Sequence, residues 1–129
     1  MYLKGYTTHL KNVNYIINNN IKGEMMLNKI IAIDYDNTIS LNIEAWKQII
    51  SLFSSLGAIV YIVTYRSSTQ FDDMDLKIPN VKDFLFTNAI AKKTYCEEIA
   101  NIKVDIWIDD LPESIIFDYK QLIQNMKIR

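Results

Sequence analysis

Two stretches of this chain, Ile30–Ile33 within Lys29–Asp34 (KIIAID) and Ala58–Val63 (AIVYIV), are apolar at consecutive positions rather than at alternate ones. A strand with one wet face alternates, whereas a strand covered on both faces does not. Doubly covered strands need helices on each side of the sheet, and the intervening sequence offers them. Trp46, Ile49, Ile50, Phe53 and Leu56 recur at helical spacing over Ile43–Leu56. Asn42 is suited to cap the start of that helix, and Gly57 to take the left-handed turn at its end. Asp83–Thr87 reads as a weaker third strand and Val104–Asp109 as a fourth. A helix is expected over Ala89–Ala100. A closing amphipathic helix is expected after Pro112, carrying Ile115, Ile116, Tyr119, Leu122, Ile123 and Met126. Residues 67–80 are polar and acidic, with room for one short helix. Four strands alternating with helices predict an α/β fold: a three-layer, Rossmann-like sandwich around a mainly parallel four-stranded sheet.

At 129 residues, one domain is expected. Half of the residues are hydrophobic and 22% are charged, enough to build a core and exclude global disorder. Net charge is −1 and no basic run occurs, so no extended nucleic-acid footprint is expected. No apolar run could span a bilayer. A single cysteine, Cys96, allows no disulfide within the chain, and a cytoplasmic location is expected. Residues 1–27 stand apart from the domain at 28–129: they carry an asparagine tract and no sustained period. Lys22-Gly23-Glu24 can be encoded by a purine-rich string resembling a ribosome-binding site, and Met25 and Met26 follow directly. Two readings stay open, an ordinary N-terminal arm or a translated leader before a start at Met25 or Met26. The N-terminal mass of protein made from its own upstream DNA separates them.

Parallel sheets bind ligands at the carboxyl ends of their strands. The first strand ends in Asp34-Tyr35-Asp36-Asn37-Thr38 and the second in Thr64-Tyr65-Arg66. The third leads to Lys92 and Lys93, and the fourth ends in Asp109-Asp110. A rim of carboxylates repels itself unless a cation neutralises it, and oxygen-only ligands suit Mg²⁺. His9 is far upstream, so histidine ligation is not expected. A carboxylate on such a rim can attack phosphorus, a second can move the leaving-group proton, and a lysine and a hydroxyl can hold the phosphoryl oxygens. Of the two lysines, Lys92 shares a helical face with Tyr95, Cys96 and Ile99 and points toward the sheet, whereas Lys93 turns toward solvent. Arg66 can hold a second anionic group of a substrate or be an ordinary surface arginine. The bland alternatives are a turn pair for Asp34 and Asp36 and a solvated turn for Asp109 and Asp110.

Over roughly Lys29–Lys127 the chain resembles the haloacid dehalogenase superfamily, most of whose members are Mg²⁺-dependent phosphatases. IIAIDYDNT matches the family's D-x-D-x-T motif after an apolar strand, VTYRS the second motif, AKKTY the third-motif lysine, and DIWIDD the fourth. The resemblance implies Asp34 as nucleophile and metal ligand, and Asp36 as general acid/base with its backbone carbonyl on the metal. It implies Thr64 and Lys92 as phosphoryl-binding groups, Asp109 as a metal ligand and Asp110 in support. Only 25 residues separate Thr38 from Thr64, and 27 separate Thr64 from Lys92, so no cap domain is expected. The activity expected is hydrolysis of a phosphomonoester, either a nucleotide or a nucleic-acid terminal phosphate. The alternative is a binding or regulatory module that keeps the fold but turns over little.

Overall fold

The computed structural model of the chain describes residues 25–128; the two readings of residues 1–24 lie outside them. Four strands, β1 (Ile30–Ile33), β2 (Ile59–Thr64), β3 (Val81–Phe86) and β4 (Ile106–Ile108), form one all-parallel sheet in the order β3-β2-β1-β4. Helix α1 (Ile43–Ser55) packs on one face of it. On the other face lies α2 (Lys92–Thr94), which continues into a single wider π turn at Tyr95–Ile99. The chain closes with α3 (Glu113–Ile116) and α4 (Tyr119–Ile128). The result is the three-layer α/β sandwich expected from the strand runs.

The central strands are apolar throughout because each face has its own core. Ile31, Ile33, Val60 and Ile62 point into one cluster with Ile39, Ile50, Met74 and Ile78. Ala32 and Val63 point into the other with Leu85 and Cys96. Asn42 caps α1 as expected: its side-chain oxygen accepts from Ala45 N at 3.1 Å, and Gly57 takes φ 93° just beyond the end. Met26 packs against the first core and donates its N–H to Leu56 O at 2.9 Å, which ties the start of the described chain to the end of α1.

Several elements differ from the expected ones, and β4 is shorter than the Val104–Asp109 expected. Strand β3 begins two residues earlier than its pattern suggests. It is an edge strand with Lys82 and Asp83 exposed, and its register against β2 jumps from Val81 to Asp83, leaving Lys82 as the extra residue of a bulge. Helix α2 starts at Lys92 rather than Ala89, because Asn88 (φ 52°) and Ala89 (φ 67°) are left-handed. Asparagine tolerates that region, whereas alanine is strained there by about 1–2 kcal/mol. Backbone bonds on both sides hold Ala89: its N–H donates to Tyr65 O, and its carbonyl accepts from Tyr119 N, each at 2.8 Å. The closing helix is broken in two. Phe117 is extended (φ −119°, ψ 143°), and the following Asp118 spends its carboxylate on Ala91 N at 2.7 Å. Of the apolar positions expected along one closing helix, Leu122 is buried while Ile116, Tyr119 and Met126 are exposed. The segment 67–80 contains no helix; it is a series of turns that buries Met74 and Ile78.

Candidate active site

Strand order reverses at β1: the chain moves outward through β2 to β3, then returns to place β4 on the other side. The crevice at the carboxyl ends of β1 and β4 is therefore the position where such sheets bind ligands. Asp34, Thr64, Lys92, Asp109 and Asp110, supplied by four separate places in the chain, line one cleft of about 130 Å³ there.

Lys92 is the hub. Its side chain is 3% exposed, and Nζ donates to Asp34 Oδ1 at 2.9 Å and to Asp109 Oδ2 at 2.6 Å. The π turn after α2 keeps this lysine and Cys96 on the sheet side, and the Tyr65 ring lies 5.5 Å from Nζ. Asp109 is fixed further by Ser114 Oγ at 3.2 Å and by Leu111 N at 2.9 Å. Thr38 Oγ1 stands 3.4 Å from both Asp34 Oδ2 and Asp110 Oδ1. That is long for an O–H···O bond, whose usual length is about 2.7–2.8 Å.

One ammonium faces three carboxylates here. Asp34, Asp109 and Asp110 each offer an oxygen within 4.8 Å of the others. Burial raises the Asp34 carboxyl from 3.8 to about 7; the Lys92 charge opposes the rise, while Asp110 and Asp109 add to it. One lysine set against three carboxylates leaves the cleft with an excess of negative charge. The donors are all carboxylate oxygens, the chemistry of a hard divalent cation. Cys96 is buried in the second core, where burial pushes its thiol up to about 11, so it offers no thiolate. The acidic trio could hold a metal ion.

The turn after β1 separates the two acids of the D-x-D pair. Asn37 is left-handed (φ 59°) and Ser40 Oγ accepts its N–H at 2.9 Å. Tyr35 is buried beneath, its hydroxyl accepting from Asp75 N at 2.9 Å. Asp34 consequently faces Lys92, whereas Asp36 faces Arg66. Arg66 grips Asp36 with two bonds, Nε to Oδ2 at 3.0 Å and Nη2 to Oδ1 at 2.6 Å. Its other donors reach Gln70 O at 2.9 Å and both oxygens of Asp73. All five N–H groups are committed, so in this structure Arg66 holds an acid of the protein rather than standing open to a substrate anion. Thr64 is buried and lines the cleft; its Oγ1 accepts from Arg66 N at 3.2 Å, which leaves the O–H proton to donate. Lys93 is outside the cleft, more than half exposed and 3.9 Å from Glu97.

Asp110 belongs to the trio as closely as Asp109, a placement the sequence reading left open. Asp118 carries no local signal, because it acts on a residue distant in the chain, at the start of α2, whereas Ser114 reaches Asp109 only five residues back. Tyr65 does have a local signal, standing next to Thr64 at a strand end. Its hydroxyl donates to Phe117 O, and burial, with Asp118 and Asp109 nearby, pushes it up to about 12. Comparison with family models, curated proteins and solved structures returns no match to this chain.

Proposed function

We propose that this protein is a Mg²⁺-dependent phosphomonoester hydrolase of the haloacid dehalogenase type, acting through an aspartyl-phosphate on Asp34. The observation that carries this reading is the Asp34–Lys92–Asp109 bridge, with Asp110 beside it, at the point where strand order reverses. A Mg²⁺ ion held by Asp34, Asp109 and Asp110 would neutralise phosphoryl oxygens and let an anionic nucleophile approach an anionic substrate.

Lys92 and the Thr64 hydroxyl hold the phosphoryl oxygens. A carboxylate oxygen of Asp34 forms a bond to phosphorus as the bond to the leaving oxygen breaks, and Asp36 donates the proton that oxygen takes. Asp36 then accepts a proton from water as the water oxygen attacks phosphorus, freeing Asp34 and inorganic phosphate. Both Asp36 oxygens are bonded to Arg66, so this role requires one of those bonds to be given up when substrate arrives. The intervals 39–63 and 65–91 contain no inserted domain, which keeps the cleft accessible to a nucleotide or a nucleic-acid terminal phosphate.

The Arg66 clamp favours one alternative, a phosphate-binding module that turns over little because its proton donor is held back. Hydrolysis of nucleotides, sugar phosphates, end-phosphorylated oligonucleotides and phosphopeptides, with Mg²⁺ and with excess chelator, separates the two. Mg²⁺-dependent release of phosphate supports the hydrolase. Saturable binding with no release in any class supports the module.

A further inference from the structure

A second cleft of about 320 Å³ lies beside the first, and the two share Asn37, Asp109 and Asp110 as a common wall. Its opposite wall is apolar: Leu41, Trp46 and Ile108. Leu41 ends the short 3-10 turn Ile39–Leu41 that follows the acidic loop. At 74% exposure it is the most exposed large hydrophobic residue among those described. Trp46 is half-buried, its inner side packed on the first core and its remaining surface lining the cleft. Leaving a leucine and an indole wet at the edge of a charged rim costs solvation free energy unless something flat and apolar covers them. The volume is at the lower end of small-molecule sites, which run from about 300 to 1,000 Å³.

We propose that Trp46 and Leu41 form a subsite for a nucleobase whose attached phosphate occupies the acidic cleft. The inference rests on the phosphomonoesterase reading of that cleft. A planar ring can cover indole and leucine at once, whereas a charged peptide group would lose hydration against that wall without a partner on it. The polar part of the shared wall suits a base edge: Asn37 is exposed, and its side-chain amide has both donor and acceptor atoms. The same ring can arrive on a free nucleotide or at the end of a strand.

The test compares a nucleoside 5′-monophosphate, ribose 5-phosphate and a 5′-phosphorylated oligonucleotide, by kcat/KM and by equilibrium binding with Mg²⁺. The base should improve kcat/KM on the order of tenfold over ribose 5-phosphate. Leu41→Ala and Trp46→Leu should each bring that ratio toward one. Leu41→Ala guards against misfolding, since so exposed a side chain contributes little to the core. A preference held by mononucleotides assigns the subsite to free nucleotides, and one held only by the oligonucleotide assigns it to strand ends. Equal kcat/KM with and without the base, or an unchanged ratio in both variants, overturns the subsite while leaving the hydrolase intact. Nucleotide binding that depends on Leu41 and Trp46 without any turnover retains the subsite and overturns the hydrolase.

Discussion

Asp34 sets the pH behaviour of the cleft. Its carboxyl rises from 3.8 to about 7 in the metal-free protein, chiefly by burial. An acid whose folded value lies above its unfolded value favours folding while protonated. That contribution is full below about pH 4 and is lost as pH rises through about 7, a change on the order of a few kcal/mol. Without Mg²⁺, the wild type should therefore lose stability relative to Asp34→Asn between pH 4 and pH 8, as measured by urea unfolding. Parallel curves would mean that Asp34 ionises in the fold without penalty. Lys92 and Lys93 are neighbours with opposite expectations. Lys92→Ala strips the buried cation from two acids and should destabilise by about 3–5 kcal/mol and abolish turnover. Lys93→Ala removes an exposed contact and should change stability by less than about 0.5 kcal/mol. Similar losses in both would show that the buried bridge is not what the cleft depends on.

Among the elements, the break between α3 and α4 is the one that serves the cleft from a distance. Phe117 O accepts the Tyr65 hydroxyl, Asp118 accepts Ala91 N, and Tyr119 N reaches Ala89 O. Three consecutive residues thus fasten the left-handed loop that aims Lys92. Tyr65→Phe should cost about 1–2 kcal/mol and speed amide exchange at Ala89 and Tyr119 more than in β1. Uniform exchange changes would argue against this local role. The helix break was illegible from the sequence because its cause lies in Tyr65 and Ala91, remote in the chain from Phe117 and Asp118. By contrast, β1, β2 and α1 were legible to within a residue or two: covered strands advertise themselves by unbroken apolar runs, and Asn42 and Gly57 act on their immediate neighbours.

For the whole molecule, a cation taken up by the acidic trio would link folding to metal. An ion that binds only the folded state stabilises it by mass action, by about 2.7 kcal/mol at a hundredfold excess over Kd. Mg²⁺ should therefore raise the melting temperature by several degrees, and chelator should reverse it. The double substitution Asp109→Asn and Asp110→Asn should erase the response. A shift that survives it would place the ion elsewhere. The positions of Asp34, Thr64 and Asp109 at one crevice followed from strand ends, and that of Lys92 from its helical face. The pairing of Asp36 with Arg66 did not, because it depends on how segment 67–80 folds back to bring Asp73 alongside.

Among the described residues the sheet ends in two edge strands, and they are built differently. On one, β3 is interrupted by a bulge and carries Lys82 and Asp83 into solvent. On the other, β4 is only three residues long, and the Asp105 carboxylate just before it takes Ile30 N at 2.8 Å. Bulges, outward charges and short strands are the devices that stop one sheet from zipping onto another. By this argument the two edges should hinder self-templating in a chain rich in isoleucine and tyrosine. Lys82→Val combined with Asp83→Val should raise light scattering on mild heating, and unchanged scattering would place the protection elsewhere.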